Sequence, residues 1–210
     1  MEQRGLQEYT WTGRGGPFEL LVSEEVFAPT HTSREMAEGI QVDPGDVVID
    51  VGSGSGVLSF VAARLGAAKV YGSEVNRRAV ALARRNAERL GLAERVAFER
   101  GTVPPGRRFD LVVANLPYVR ESDMVALEPE ITEYEPRQAV VAGEDGLETI
   151  ATVAAASSAA LTDAGAVALE VGAGQAGAAA ELLLDLGFGQ VEGRQDLAGL
   201  PRVVLGRMAA

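Results

Sequence analysis

Two short segments hold residue types whose spacing suits chemistry. The first, Asp50-Val51-Gly52-Ser53-Gly54-Ser55-Gly56, is a glycine-rich turn between the apolar run Val47–Val51 and a helical pattern. A turn short of side chains lets a ligand lie against backbone N–H groups at a helix amino end. Eighteen residues beyond Gly56 the run Lys69–Glu74 ends in a glutamate, suited to accept both hydroxyls of a ribose. The spacing is G-x-G-x-G; a pyrophosphate-binding nicotinamide or flavin loop carries its third glycine one residue later. The second segment, Asn115-Leu116-Pro117-Tyr118, closes the apolar run Leu111–Asn115. A planar NH₂ nitrogen aimed at an electrophile needs two acceptors for its hydrogens and an aromatic face beside its plane. Asn115 Oδ1 and the Leu116 carbonyl suit the first need, Tyr118 the second, and Pro117 fixes the turn through its φ.

These segments require a scaffold that brings strand ends together. Apolar runs of four to six residues alternate with alanine- and leucine-rich stretches at helical period, which predicts parallel strands joined by crossover helices. The predicted strands are Val47–Val51, Lys69–Glu74, Val96–Arg100, Leu111–Asn115, Ala166–Val171, Gln190–Gln195 and Val203–Gly206. Helices are expected over Val57–Leu65, Arg77–Leu90, Leu147–Leu161 and Gln175–Leu186; three of them stop at Gly66, Gly91 and Gly187. We expect a single domain over 1–210, made of a preamble over 1–45 that packs on the sheet and a core over 46–210. The preamble contains Phe18–Val22 and a predicted helix over Ser33–Ile40. The acidic, proline-bearing stretch Arg120–Asp145 follows a strand's carboxyl end, which puts it over the crevice where open α/β sheets bind ligands.

Composition removes whole classes of function. The 210 residues include no cysteine and one histidine, so thiolate metal sites, cysteine nucleophiles and histidine clusters are excluded, and no metal is expected. His31, the one histidine, reads as a solvated loop residue rather than a general base. A net charge of −11 disfavours a nucleic-acid partner. No apolar run reaches the ~18 residues of a spanning helix and the start lacks a secretory signal, so no membrane partner and a cytoplasmic location are expected.

Asp50–Gly56 resembles the first motif of the class I S-adenosylmethionine-dependent methyltransferases, and Glu74 that family's ribose-binding acid. The resemblance covers nearly the whole chain. It implies an α/β, Rossmann-like sheet of seven strands, mostly parallel with the last antiparallel, and helices on both faces. It also implies S-adenosyl-L-methionine as cofactor and S-adenosyl-L-homocysteine as product. Asp50, Gly52, Ser53, Gly54, Gly56, Glu74 and Asn115 would then line the cofactor, with Val75 on the adenine ring and Thr102 where the family often has an acid. Asn115–Tyr118 resembles the (N/D)-P-P-Y motif of methyltransferases acting on amide or amino nitrogens, with Leu116 for the first proline. Its Asn-Leu-Pro-Tyr form is also similar to ribosomal RNA adenine dimethyltransferases.

Further segments resemble the HemK-like protein-glutamine methyltransferases: Tyr134–Val140 with Gly143–Leu147, Leu169–Gly172 with Gly174-Gln175, and Asp196–Gly199 with Arg202–Arg207. That family methylates the glutamine amide in the Gly-Gly-Gln loop of peptide-chain release factors. The resemblance implies catalytic roles for Asn115, Pro117 and Tyr118, and substrate contacts from Leu116, Tyr118, Glu135 and Pro136. Ala28–Arg34 replaces the family's Pro-Arg-Pro-x-Thr-Glu segment, and the preamble is too short for the amino-terminal helical domain of bacterial members. Shorter archaeal and eukaryotic relatives lack that domain too and rely on a small partner subunit. Three other readings stay open: a small-molecule amine, amide or guanidine N-methyltransferase, a nucleic-acid adenine methyltransferase, and a binding module without catalysis.

Overall fold

The computed structural model describes residues 5–26, 28–116, 146–196 and 198–209. Seven strands form one sheet: β3 (Val47–Val51), β4 (Lys69–Glu74), β5 (Val96–Arg100), β6 (Phe109–Ala114), β7 (Leu161–Glu170), β8 (Phe188–Gln195) and β9 (Pro201–Met208). Their spatial order is β5-β4-β3-β6-β7-β9-β8. The chain builds outward from β3 to β5, returns to lay β6 against the other side of β3, and continues the opposite way. That reversal leaves a crevice at the carboxyl ends of β3 and β6, the switch point at which open α/β sheets take their ligands. Strands β3 to β7 pair in parallel, whereas β9 runs antiparallel to both β7 and β8, as expected for the last strand.

Both faces of the sheet are covered. Val48, Val70, Val96, Leu111, Val113 and Ala168 point to the layer built by α1 (His31–Gly39), α2 (Val57–Leu65) and α3 (Arg77–Arg89). Ile49, Val51, Val112, Ala114, Val167 and Leu169 point to α4 (Glu148–Ala160) and α5 (Ala176–Asp185) on the other face. This period of two, with both sides apolar, explains why the central strands read as unbroken hydrophobic runs. At the opposite end of the sheet from the crevice, Asp110 joins three strands, accepting from Val47 N–H at 2.9 Å and from Thr162 Oγ1 at 3.0 Å.

The preamble supplies a two-stranded antiparallel ribbon, β1 (Gln7–Trp11) and β2 (Phe18–Val22), followed by α1. Trp11, Phe18 and Leu20 enter the same core as α2, and an aromatic chain runs Trp11–Phe18–Phe60–Phe98 with centroids 6.2, 6.2 and 5.7 Å apart. Leu21 and Val26 pack on Ala79 and Leu82 of α3. Helix α1 lies against α2, β7 and β9. None of the described helices is long and apolar enough to cross a membrane.

Most expected elements appear with their boundaries moved by a residue or two; four differences have physical causes. Strand β1 was not expected, because Gln7-Glu8-Tyr9-Thr10-Trp11 buries only Trp11 and so lacks a strand's usual apolar alternation. Strand β6 ends at Ala114 rather than Asn115, which leaves Asn115 free of the ladder at the crevice. Strand β7 begins at Leu161, directly where α4 ends, because Leu161 pairs with Phe109. Strands β8 and β9 are longer than expected because they pair with each other along nearly their whole length. His31 is exposed, as expected, but it is the first residue of α1 rather than part of a loop, because Thr30 ahead of it takes the cap position.

Candidate active site

The glycine turn leaves β3 and is pinned sideways onto β4: Gly52 and Ser53 N–H both donate to Ser73 O, at 2.8 and 3.1 Å. Gly52 has φ +75, and a Cβ there would come within 3.1 Å of Asn115 O and 3.3 Å of Leu116 Cδ2. A side chain is opposed twice, by the left-handed backbone and by the close approach of the residues that follow β6. Gly56, at φ +93, caps α2, and a Cβ there would stand 2.8 Å from Phe60 and Phe98 ring atoms. The turn is thus a bare-backbone cradle at the amino end of a helix, its own N–H groups at Gly52, Ser53, Gly54 and Gly56 engaged in holding its shape, so that a ligand can lie close against main chain free of side chains.

Asp50 lies underneath. It is 2% exposed, and its Oδ2 accepts from Ser59 N–H at 3.0 Å and Ser59 Oγ at 2.7 Å. The carboxylate therefore fixes the first turn of α2 against the strand that leads into the cradle. Burial raises its pKa from 3.8 to about 6; the two Ser59 bonds pull the other way, and the charge of Glu74 adds to the rise. Ser53 and Ser73 are buried beside it, and among the described residues their hydroxyls have no hydrogen-bond partner.

Glu74 closes the cradle from β4. Its Oε2 accepts from Gly54 N–H at 3.2 Å and its Oε1 from Asn76 N–H at 2.8 Å. A carboxylate has about four acceptor directions, so two remain for a diol. Asn76 caps α3 through Oδ1 to Arg78 N–H at 2.9 Å, which holds the turn after Glu74 rigid. Val75, between them, is 58% exposed, an apolar side chain beside a polar cradle and suited to one face of a flat heterocycle. Gly101 N–H donates to Glu74 O at 3.0 Å, which sets the exposed Thr102 beside the same strand ends.

Asn115 follows directly on β6, half-buried, with Leu116 6% exposed after it. Its neighbours are fixed by register: Ala114 pairs with Val51 on one side and Leu169 on the other. The structure therefore brings Asp50, Gly52, Ser53, Gly54, Gly56, Glu74, Val75, Thr102, Asn115 and Leu116 to the carboxyl edge of three central strands and their neighbour β5. Pro117, Tyr118, Glu135 and Pro136 lie outside the described residues. The cradle fits an adenosyl group: bare backbone, the half-buried Glu74 carboxylate with spare acceptor positions, an apolar platform in Val75, and the buried acid Asp50 beneath. The sequence reading missed Ser59, Asn76 and Ser73, which hold the cradle. Only Asn76, a capping residue type ahead of a helical run, left a signal.

The comparisons agree with this geometry. The model of the family "Ribosomal protein L11 methyltransferase (PrmA)" matches residues 29–133. Among solved structures, a ribosomal protein L11 methylase from Lactobacillus delbrueckii subsp. bulgaricus superposes with a TM-score of 0.65 at 20% identity, covering 88% of this chain and 82% of that one. A methyltransferase from Pyrococcus furiosus gives 0.69 at 18% identity, covering 91% and 89%. At such identities the likeness is one of fold. The sequence relatives reach further. The release factor glutamine methyltransferase of Geobacter sulfurreducens is 37% identical over 195 residues, 90% of this chain and 68% of that protein. That of Gloeobacter violaceus is 34% identical over 214 residues, 97% and 74%. With two such relatives matched over more than two thirds of their own length and this fold beneath them, the chain belongs to the release factor glutamine methyltransferase family, S-adenosylmethionine-dependent N-methyltransferases of class I.

Proposed function

We propose that this protein methylates the side-chain amide nitrogen of a glutamine in a protein substrate, a peptide-chain release factor. The observation that carries the reading is the back-to-back seating of Asn115 on the cradle, its carbonyl 3.1 Å from where a Gly52 Cβ would stand. A residue able to hold an NH₂ group and a loop able to hold a methyl donor thus share one wall. The names of the relatives support the choice of glutamine.

S-adenosylmethionine, when bound, supplies an electrophilic methyl carbon on a sulfonium. The chain's residues do the rest. Gly52, Ser53, Gly54 and Gly56 would offer bare main chain to the ligand, Glu74 would accept the ribose hydroxyls, and Val75 and Thr102 would take the adenine end. Asp50 keeps α2 and the cradle in register through Ser59. Asn115 Oδ1 and the Leu116 carbonyl accept the two amide hydrogens and turn the nitrogen toward the donor. The family resemblance adds Pro117 and Tyr118 as proposed catalytic residues and Glu135 and Pro136 as proposed substrate contacts. The amide so held would keep its lone pair toward the donor, a nitrogen–methyl bond would replace the sulfur–methyl bond, and the nitrogen's surplus proton would pass to water. An amide nitrogen is a weak nucleophile, so orientation supplies most of the acceleration, for which effective molarity offers roughly 7–11 kcal/mol.

Residues 1–45 and 46–210 work as one domain in this reading, supported by the core that Trp11 and Phe18 share with α2. Its place is the cytoplasm, beside the translation machinery. The test is transfer of labelled methyl into host extract, separated into protein, nucleic-acid and small-molecule fractions. Label in a release-factor-sized protein, lost when the glutamine of its Gly-Gly-Gln loop is replaced, is the expected result. Label confined to small molecules would make this a biosynthetic enzyme instead. Label that reaches purified release factor only after extract is restored would assign a partner subunit.

A further inference from the structure

Asn86 sits in the middle of α3 with no exposed surface, on a face otherwise made of Ala79, Val80, Leu82, Ala83 and Ala87. Its side chain makes three hydrogen bonds to three backbone groups. Oδ1 accepts from Leu21 N–H at 2.7 Å, and Nδ2 donates to Leu21 O at 2.9 Å and to Ser55 O at 3.0 Å. Both donor hydrogens of the amide are thereby used. Leu21 belongs to β2 and Ser55 to the glycine cradle, 65 and 31 residues away in sequence. One buried amide therefore ties the preamble ribbon, a crossover helix and the cofactor loop together.

We infer that Asn86 is a positioning residue for the cofactor loop, and that it couples the seating of the β1–β2 ribbon to cofactor binding. The inference rests on the reading of the cradle as the cofactor site. Two features of the surroundings make the coupling obligatory. Ser55 is 2% exposed, so its carbonyl has no access to bulk water and depends on Nδ2. The bonds to Leu21 N–H and O occupy the strand edge facing away from β1, so Leu21 is held by Asn86 rather than by its ribbon partner Glu8. If the ribbon lifts, the amide loses two of its three anchors and is free to turn away from Ser55. When a ligand orders the cradle, the amide is fixed from that side and the ribbon is held more firmly. The two equilibria must then be linked with equal strength in both directions.

The experiment combines calorimetric titration of S-adenosylmethionine with amide hydrogen exchange on the full chain. Asn86→Asp keeps the shape and the acceptor for Leu21 N–H but has no N–H for Leu21 O or Ser55 O. We expect it to raise the cofactor's dissociation constant about tenfold. Asn86→Leu, which removes all three bonds, is expected to do the same. Exchange at Leu21 N–H, far from the ligand in sequence, should slow when the cofactor is added to the wild type, and the variants should lose that response. The exchange measurement on the wild type stands even if a variant does not fold, and a purely structural role for Asn86 would leave it unmoved by the cofactor. Affinity of a folded variant within about twofold of wild type overturns the proposal. So does Leu21 exchange in the wild type that ignores the cofactor. If the wild type itself binds no S-adenosylmethionine, the cofactor reading fails first and takes this coupling with it.

Discussion

Asn115 and Asp50 lie near the same strand ends, and their work differs. Asn115 faces the position of the reacting nitrogen in the proposed mechanism, so Asn115→Ala should lower kcat by a factor of roughly 10² to 10³ while cofactor affinity stays nearly level. Steady-state rates paired with calorimetric titration separate the two, and an equal loss in both would make Asn115 a residue of the fold alone. Asp50 contributes through Ser59, and its burial writes a pH dependence into stability. An unfolded aspartate titrates near 3.8, whereas Asp50 keeps its proton to about 6. The folded state thus binds that proton more tightly. Its contribution is complete below about pH 4, falls as pH rises through about 6, and is lost above. Asn in its place stays neutral and still accepts from Ser59. Urea unfolding should therefore show Asp50→Asn gaining on wild type as pH rises from about 4 to about 7, and parallel curves would refute this.

Among the elements, the ribbon is the one whose importance its sequence hides. Trp11 is fully buried, donates from Nε1 to Arg14 O at 3.0 Å and opens the aromatic chain that reaches β5. Trp11→Ala should cost about 3–5 kcal/mol, read as a lowered unfolding midpoint in a single transition. A separate early transition would mean that the ribbon melts by itself. The parallel strands β3, β4 and β5 were legible to the residue because each is a short apolar run with clear ends, and the cradle was legible because its glycines stand in a fixed pattern. The ribbon was not, since a two-stranded element with one wet face has little apolar alternation to show. The partners of Asp50 and Asn86 were also hidden. They lie 9 to 65 residues away, and only the crossover of α2 and α3 brings them near.

Charge is distributed unevenly over the whole molecule. Residues 69–108, which form β4, α3, β5 and the approach to β6, hold ten of the nineteen basic residues and four of the thirty acids. Part of this basic edge is answered from within the chain, since Arg78 pairs with Glu25 and Arg89 with Glu8, both in the preamble. Exposed pairs of this kind contribute little individually and are screened by salt. Methyl transfer to a protein amide should accordingly change only a few-fold between roughly 50 and 200 mM salt. An enzyme gripping six or more phosphates would lose about a thousandfold or more over that range. A loss of that size would bring back the nucleic-acid reading.

The order of the sheet also governs how the molecule can be made. Strand β9, which follows both of its neighbours in sequence, lies between β7 and β8. Among the described strands β8 hydrogen-bonds to β9 alone, so it has no place in the sheet until its successor has arrived. On a translating ribosome the β3–β6 half, with the cradle and Asn115, has all its strand partners long before then. The edge beyond β7 must wait for Met208 to clear the exit tunnel. A nascent chain halted between β8 and β9 would hold a nearly complete cofactor cradle beside an unsealed strand edge, the state most exposed to mispairing with another chain.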